Sequence, residues 1–545
     1  MPCRKKFSAI SMGWCSSGLF VLAAPGWDHS VLAWVALVPL LLALRRRSVL
    51  SGFCLAWAAG FLAYAGIVHW VTISGAVTVI EFILIAGYLG LHWGLFGAAL
   101  TFLAARTHFP LAATAPILWV TCEYLRASFF PLELPWTLLG HSQYQNIALI
   151  QLAAVTGLYG ISAAIALVNS IIAEAIAGGR HPGVSAGAIL VVVGLALVSG
   201  QAVLAGSLHA RTVPVTVVPG NLAQDVRWEP QRQEANFRTY MEATIRASNR
   251  SETALIVWPE TSVPGPLNRD LHSLSTLQSL AQETGASLLI GTGEREKFSH
   301  GKEGIPNRYN SAVLFSPGLS KLRSYHKMQL LPFGEYLPWA ESFPWPARYR
   351  AHSSEYAAGK DYTTFSLHGE KGPTAFGVLI CWEGIFPNLA RQFVQQGAAF
   401  LVGISNEAWF DGKSAPQFLA MNTFRAVENR RSLVRAVNGG ISGFIDPYGR
   451  LVASINAARD DHHGDGFLTY TIAVLESRTF YTSYGDLFAQ TTMGVALLFM
   501  LAAIRRPRLR QITDVPGLIY ADDFGKRRLF MSCLRLMDFR KVAQR

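Results

Sequence analysis

The sequence predicts a multi-span α-helical membrane bundle joined to a layered α/β soluble domain, and three observations carry that expectation. Apolar residues make up 51% of the 545-residue chain and charged residues only 15%, where a soluble domain usually carries about 25% charged residues. The apolar residues gather in long runs across residues 1–207 and again from about Leu487 to Ile504. Between these regions, residues 208–480 show turns, charges and short strand-like runs in the ordinary proportion for a folded soluble domain.

A helix needs about 20 apolar residues to cross the hydrocarbon core. The candidate spans are 8–24, 31–44, 50–68, 77–104, 110–128, 147–177, 184–206 and 485–504. The first also has the outline of a signal peptide, since Arg4, Lys5 and Lys6 precede it. No clear small-residue cleavage site follows, so it is read as a retained span. Lys and Arg are held on the cytoplasmic side of a membrane. Arg4 to Lys6, Arg45 to Arg47, Arg106, Arg180 and Arg505–Arg506 all fall on one side of an eight-span topology. The opposite loops near Trp27–Ser30 and Thr72–Gly75 carry no Lys or Arg. The expected organisation is therefore a membrane domain of about seven helices over 1–207 and an extracytoplasmic catalytic domain over 208–480. A last transmembrane helix over 481–505 and a basic cytoplasmic tail over 506–545 complete it. Within the fifth span, Glu123 and Arg126 are three apart and share a helix face. Charges at that depth need a reason: either an ion pair with each other or a contact to a lipid head group.

The formal net charge is +12. From Arg505 to Arg545, 11 Lys/Arg against 4 Asp give that stretch +7. A basic tail beside a span is suited to anionic membrane lipid rather than nucleic acid. The sequence holds no zinc-ligand spacing, no Gly-rich phosphate loop after a strand and no nucleic-acid-binding signature. No metal, no cofactor and no nucleic-acid partner is expected.

Strand-like runs recur at Val213–Val218, Ala254–Trp258, Ser287–Gly291, Ser311–Phe315, Ala375–Ile380, Ala399–Ile404 and Leu433–Val437. Amphipathic stretches such as Gln231–Ser248 and Leu271–Thr284 lie between them, which points to two sheets between layers of helices. Three short segments in this domain carry chemistry. Ile256-Val257-Trp258-Pro259-Glu260 puts a carboxylate at the end of an apolar strand. Tyr325-His326-Lys327 is followed by Leu331-Pro332-Phe333-Gly334-Glu335, giving a Lys and a second Glu. Gly377-Val378-Leu379-Ile380-Cys381-Trp382-Glu383 ends another strand on a thiol.

Taken singly, such residues are commonplace: a buried Cys is a small hydrophobe, and an isolated Glu or Lys is a solvated charge. Together they answer a chemical need. A thiol is mostly protonated at neutral pH and requires a base or a nearby cation to become a nucleophile. Glu260 can take the proton, and Lys327 can favour the thiolate and then the oxyanion. Of six cysteines (Cys3, Cys15, Cys54, Cys122, Cys381 and Cys533), only Cys381 lies in this domain, so an internal disulfide cannot account for it.

In these motifs the chain resembles the carbon–nitrogen hydrolase (nitrilase) superfamily and, within it, the bacterial apolipoprotein N-acyltransferases. The closer resemblance also rests on the spans around the domain, Val218-Pro219-Gly220-Asn221 leading to Trp228, the Leu331–Pro338 loop, Ile404–Phe410, Arg435–Gly440, and Pro135-Trp136 followed by Gly140–Gln143. It implies a nitrilase-like αββα sandwich in the bacterial cytoplasmic membrane, with its catalytic domain on the periplasmic side. It further implies that Cys381 takes an acyl group from a phospholipid donor as a thioester. The group then passes to the α-amine of a diacylglyceryl-cysteine apolipoprotein. Glu260 is the implied base, Lys327 the oxyanion stabiliser, Glu335 and Glu383 supporting carboxylates, and Trp228, Trp136, Trp382 and Trp409 aromatics near the substrate path. For Trp228, Trp136 and Trp409, ordinary packing is the alternative.

The chain departs from the family pattern at three places. Trp382 stands where Tyr is common, Asp411 interrupts Trp-Phe-Gly, and Phe418 replaces a common His. Two rival readings share parts of this evidence: a membrane-tethered amidase or nitrilase that uses water as acceptor, and a non-catalytic transporter or lipoprotein-binding scaffold. The first would hydrolyse a small amide, and the second would tolerate loss of Cys381.

Overall fold

The computed structural model describes residues 8–75, 77–129, 132–178, 182–206, 210–220, 232–296, 307–318, 322–340, 342, 344, 356–369, 372–456 and 466–505. The tail 506–545 and Trp228 lie outside the described residues.

Among the described residues, four helices are long and apolar enough to cross a membrane: Val49–Ile67, Val79–Ala104, Leu158–Ile176 and Leu487–Ile504. Shorter apolar segments accompany them at Ala9–Ala23, Ser30–Leu44, Ile147–Thr156 and Val193–Ala205. The expected second span is broken into a 3₁₀ turn and two helices, Ala33–Ala36 and Val38–Leu44. The expected sixth span is not one helix either. It runs as Ile147–Ile150 and Ala153–Thr156, then turns at Gly157 into Leu158–Ile176. Gly157 has φ +62°, and a Cβ there would lie 2.7 Å from the Tyr481 ring, so the break requires glycine.

The helix Leu111–Ser128 sits where the fifth span was expected and buries both of its charges. They do not form a direct ion pair. Glu123 Oε1 accepts from the backbone N–H of Leu139 at 2.7 Å, and Arg126 Nη2 donates to the Trp136 carbonyl at 2.8 Å. The Arg126 guanidinium also lies over the Tyr64 ring. Buried backbone groups need partners, and these two side chains supply them to the loop that carries Trp136.

Among its described residues the soluble domain contains two mixed sheets. The first is built from β1 (Arg211–Val217), β2 (Leu255–Val257), β3 (Val263–Pro266), β4 (Ser287–Arg295), β5 (Arg308–Phe315), β6 (Arg323–His326) and β13 (Leu468–Val474). Its order is β13-β1-β2-β4-β5-β6, with β3 beside β4. The second contains β7 (Phe365–Leu367), β8 (Thr374–Ile380), β9 (Phe400–Asn406), β10 (Leu433–Asn438), β11 (Ile441–Ile445) and β12 (Leu451–Asn456), in the order β12-β11-β10-β9-β8-β7. Each has a parallel centre, β1-β2-β4 and β8-β9-β10, flanked by antiparallel strands, while β3 pairs parallel with β4.

Alternation along a strand sends successive side chains to opposite faces. In β2, Leu255 and Val257 join the core shared with the second sheet, through Phe376, Val378 and Leu401. Ile256 and the following Trp258 point the other way, onto the helices Gln233–Arg250 and Leu271–Thr284 through Tyr240 and Leu277. The helices Pro387–Gln395 and Ala415–Asn429 pack in the region of the second sheet, completing an αββα sandwich. In Ala415–Asn429 every residue but Pro416 is buried, because the helix also packs against the membrane part at Leu139–Gln143 and Ala153–Thr156.

Candidate active site

The three sequence-predicted groups meet at the C-terminal ends of their strands. Glu260 follows β2, Lys327 directly follows β6 and Cys381 directly follows β8. Close packing shapes the first turn: a Cβ on Gly291 of β4 would lie 2.3 Å from the Pro259 carbonyl oxygen and 2.6 Å from the Glu260 Cα. Only glycine lets β4 pass that close to the Glu260 turn.

Lys327 is buried, and its ammonium is the centre of the site. It lies 2.9 Å from Glu335 Oε2, 3.0 Å from Glu335 Oε1 and 3.8 Å from Glu260 Oε1. One Asn310 Nδ2 donates to both carboxylates, at 2.8 Å to Glu260 Oε1 and 2.8 Å to Glu335 Oε1. The Asn406 backbone N–H, at the end of β9, donates to Glu260 Oε2 at 2.9 Å. Glu335 is fixed by its own loop: the Leu331 N–H donates to its Oε2 at 2.8 Å, and Phe333 holds a left-handed φ of +64°. Burial opposes the charge on Lys327, but Glu335, Cys381 and Glu260 outweigh it and hold the ammonium above its ordinary pKa. It is therefore charged at every physiological pH.

Cys381 is half-buried and has φ +52°, a conformation that is costly for a side chain with a Cβ and concentrates at functional sites. Glu383 holds that turn. Its Oε2 accepts from the Ile380 N–H at 2.8 Å. Its Oε1 accepts from the Tyr325 hydroxyl at 2.7 Å, the Met328 N–H at 2.7 Å and the Gln329 N–H at 3.1 Å. One buried carboxylate thus ties the end of the Cys strand to the segment immediately after Lys327. Burial lifts Glu383 to about 7, against the pull of these donors and of Lys327. Burial also pushes the Cys381 thiol up; the Glu260 carboxylate adds to the rise and the Lys327 ammonium opposes it. This environment favours the neutral thiol.

Trp136 and Trp382, the residue after Cys381, come together. Their rings stack with centroids 5.8 Å apart at 21°, and Phe418 meets Trp136 edge-on at 5.1 Å. Trp409 is 44% exposed on the 3₁₀ turn Ala408–Phe410 and is not part of that stack. Asp411 ends this turn with φ +48°, a left-handed position that Asp tolerates better than most residues. The sequence reading missed Asn310, Asn406, Tyr325, Trp70 and Gln417. Asn310 carried one signal, a buried polar residue within the strand Arg308–Phe315. Among the described residues, no group of three or more His, Cys, Asp or Glu side chains is placed to hold a metal ion.

Two family models match the chain in order: the apolipoprotein N-acyltransferase N-terminal domain over residues 16–171 and carbon-nitrogen hydrolase over 222–471. An apolipoprotein N-acyltransferase of Geobacter metallireducens is 33% identical across 90% of this chain and 94% of its own length. One of Pseudomonas aeruginosa is 30% identical across 91% of this chain and 96% of its own. A solved structure of Saccharomyces cerevisiae Nit3, a nitrilase-superfamily member, covers 52% of this chain and 98% of that one at 19% identity and a TM-score of 0.37. With both halves matched and relatives aligned almost end to end, the chain belongs to the apolipoprotein N-acyltransferase family.

Proposed function

We propose that this acyltransferase works by two displacements at Cys381, with Glu260 as general base and Lys327 as the cation that stabilises developing negative charge. In the first, Glu260 takes the thiol proton as Sγ attacks the sn-1 ester carbonyl of a membrane phospholipid. The carbon–oxygen bond breaks, the proton passes to the departing alkoxide, and a lysophospholipid leaves. In the second, the α-amine of a diacylglyceryl-cysteine at a lipoprotein N-terminus attacks the thioester. Its proton is taken by Glu260, the carbon–sulfur bond breaks, and Cys381 is protonated again.

The observation that carries this reading is the placement of one buried ammonium between two carboxylates, beside a strained thiol within electrostatic reach. A thioester suits the second step because it is reactive toward amines. Glu335 would hold Lys327, and Glu383 would hold the Cys381 turn. Trp136 and Trp382 would flank the acyl path, and the family resemblance adds Trp228 and Trp409 as aromatics near the acyl or head-group path. The basic clusters support a cytoplasmic-membrane location with the catalytic domain on the extracytoplasmic, periplasmic face and the boundaries given above.

The test supplies phospholipid and a diacylglyceryl-cysteine peptide together and separates the products. N-acylated peptide and lysophospholipid in equal amounts are expected, with neither formed by Cys381→Ala. Free fatty acid as the main product would favour a hydrolase that uses water. Wild-type N-acylation by Cys381→Ala would overturn the mechanism.

A further inference from the structure

Gln417 joins the membrane part to the catalytic domain through a single amide. It lies in the first turn of the helix Ala415–Asn429 and is 5% exposed. Its Oε1 accepts from two indoles of the membrane part, Trp136 Nε1 at 2.7 Å and Trp70 Nε1 at 3.2 Å. Its Nε2 donates to the Ile67 carbonyl at 2.9 Å, at the end of the helix Val49–Ile67. Both acceptor positions of the amide oxygen are therefore used. The amide has one workable orientation, since a flip would set NH₂ against two indole N–H donors. Among the described residues, Gln417 is the hydrogen-bond partner of both indole N–H groups.

These indoles belong to an aromatic wall that ends on Trp382, the residue after Cys381. Trp70 packs on Trp136 at 5.4 Å and on Phe410 at 4.7 Å. Trp136 stacks on Trp382, and Trp382 is covalently next to Cys381. Phe418, the neighbour of Gln417, closes the edge of Trp136. Ring stacking alone tolerates sliding and rotation. Two hydrogen bonds into one buried oxygen do not, because a displaced indole would leave its N–H without a partner.

We propose that Gln417 is a positioning residue for acyl transfer. By holding Trp70 and Trp136 it sets the face on which Trp382 lies, and so shapes the apolar path of the acyl chain carried on Cys381. This rests on the reading of Cys381 as the acyl-bearing nucleophile. A long chain depends on continuous contact with that path, and a short one depends on it far less.

The experiment measures the rate of acyl-enzyme formation from palmitoyl and octanoyl phospholipids with the full-length protein in one detergent preparation. Its readout is the palmitoyl-to-octanoyl ratio, which the fraction of correctly inserted protein does not affect. Gln417→Leu removes the acceptor shared by both indoles and is expected to lower the ratio about tenfold, or about 1.4 kcal/mol. Gln417→Glu keeps an acceptor oxygen for both indoles and, protonated as burial favours, an O–H for the Ile67 carbonyl, and is expected to keep the ratio near wild type. Trp136→Phe removes one of the two donors while Gln417 remains, and is expected to lower the ratio by itself. Adding Gln417→Leu to Trp136→Phe should then cost less than it does alone, since the pair acts as a unit. A wild-type ratio in Gln417→Leu, an equal fall in Gln417→Glu, or full additivity would overturn the proposal. Absence of any adduct in the wild type would instead sink the nucleophile reading itself, and this proposal with it.

Discussion

Replacing Lys327 with Met should abolish acyl-enzyme formation while leaving the protein inserted in the membrane. The side chain is 1% exposed and faces two carboxylates, Glu260 and Glu335, that are 7% and 8% exposed. Met approximates its length but removes the ammonium at 2.9 Å from Glu335 and 3.8 Å from Glu260. Removing one partner of a buried pair costs about 3–5 kcal/mol of local stability. The two carboxylates, bridged by one Asn310 amide, would then face each other without a cation. Glu260 then lacks the ammonium that helps to fix its position. Loss of a donor to the oxyanion alone costs about 10²–10³ in rate. The Cys381 thiol, already raised by burial and by Glu260, loses the ammonium that opposes the rise. All three effects act in the same direction, so acylation should fall by about 10³ or more. Lys327→Arg should not restore it, because a planar guanidinium does not present its donors where a tetrahedral ammonium does. The assay is the rate at which the intact protein gains one acyl group from phospholipid, normalised to inserted protein. A wild-type rate in either variant would refute the role given to this cation.

Glu383→Gln keeps the shape of the side chain but turns an NH₂ toward one of four donors; acylation should fall about tenfold, and a wild-type rate would argue against the clamp. Burial lifts the Glu383 carboxyl from 4.5 to about 7, so its contribution to stability is full below about 4.5 and is lost as pH rises through about 7. Thermal unfolding across that window should therefore decline in the wild type more than in Glu383→Gln, and parallel profiles would contradict the assignment. For topology, a reporter fused after Gly206 should read extracytoplasmic and one after Arg510 cytoplasmic; identical readings would sink the eight-span arrangement.

The sequence exposes those parts of this fold that rest on local periodicity. All seven apolar runs read as strands are strands, because each lies in or beside a parallel sheet centre and is buried on both faces. The strands it hides are short or peripheral, such as β7 (Phe365–Leu367) and β6 (Arg323–His326), or partly exposed on both faces, such as β13 with Tyr470 and Thr471 exposed. The sixth apolar run reads as one helix because hydropathy does not register a turn at Gly157, where a left-handed φ and the nearby Tyr481 ring admit only glycine. Glu260, Lys327 and Cys381 were readable because each closes a recognisable motif at a strand end. Glu123 and Arg126 were not: their spacing suggested a mutual pair, whereas each serves backbone of the following loop. Asn310, Trp70 and Gln417 escaped for the same reason. Their partners lie far along the chain, and only the assembled sandwich and bundle bring them together.

The central claim is that an acyl group passes through Cys381. The direct measurement is the intact mass of the wild-type protein given phospholipid alone, followed by addition of a diacylglyceryl-cysteine peptide. The account predicts a gain of one fatty acyl group on Cys381, removable by neutral hydroxylamine and discharged to N-acylated peptide at the rate of turnover. Cys381→Ala should show neither event, and Cys381→Ser should stall at or before the acyl-enzyme. An adduct on another residue, or N-acylated peptide formed at full rate by Cys381→Ala, would contradict it.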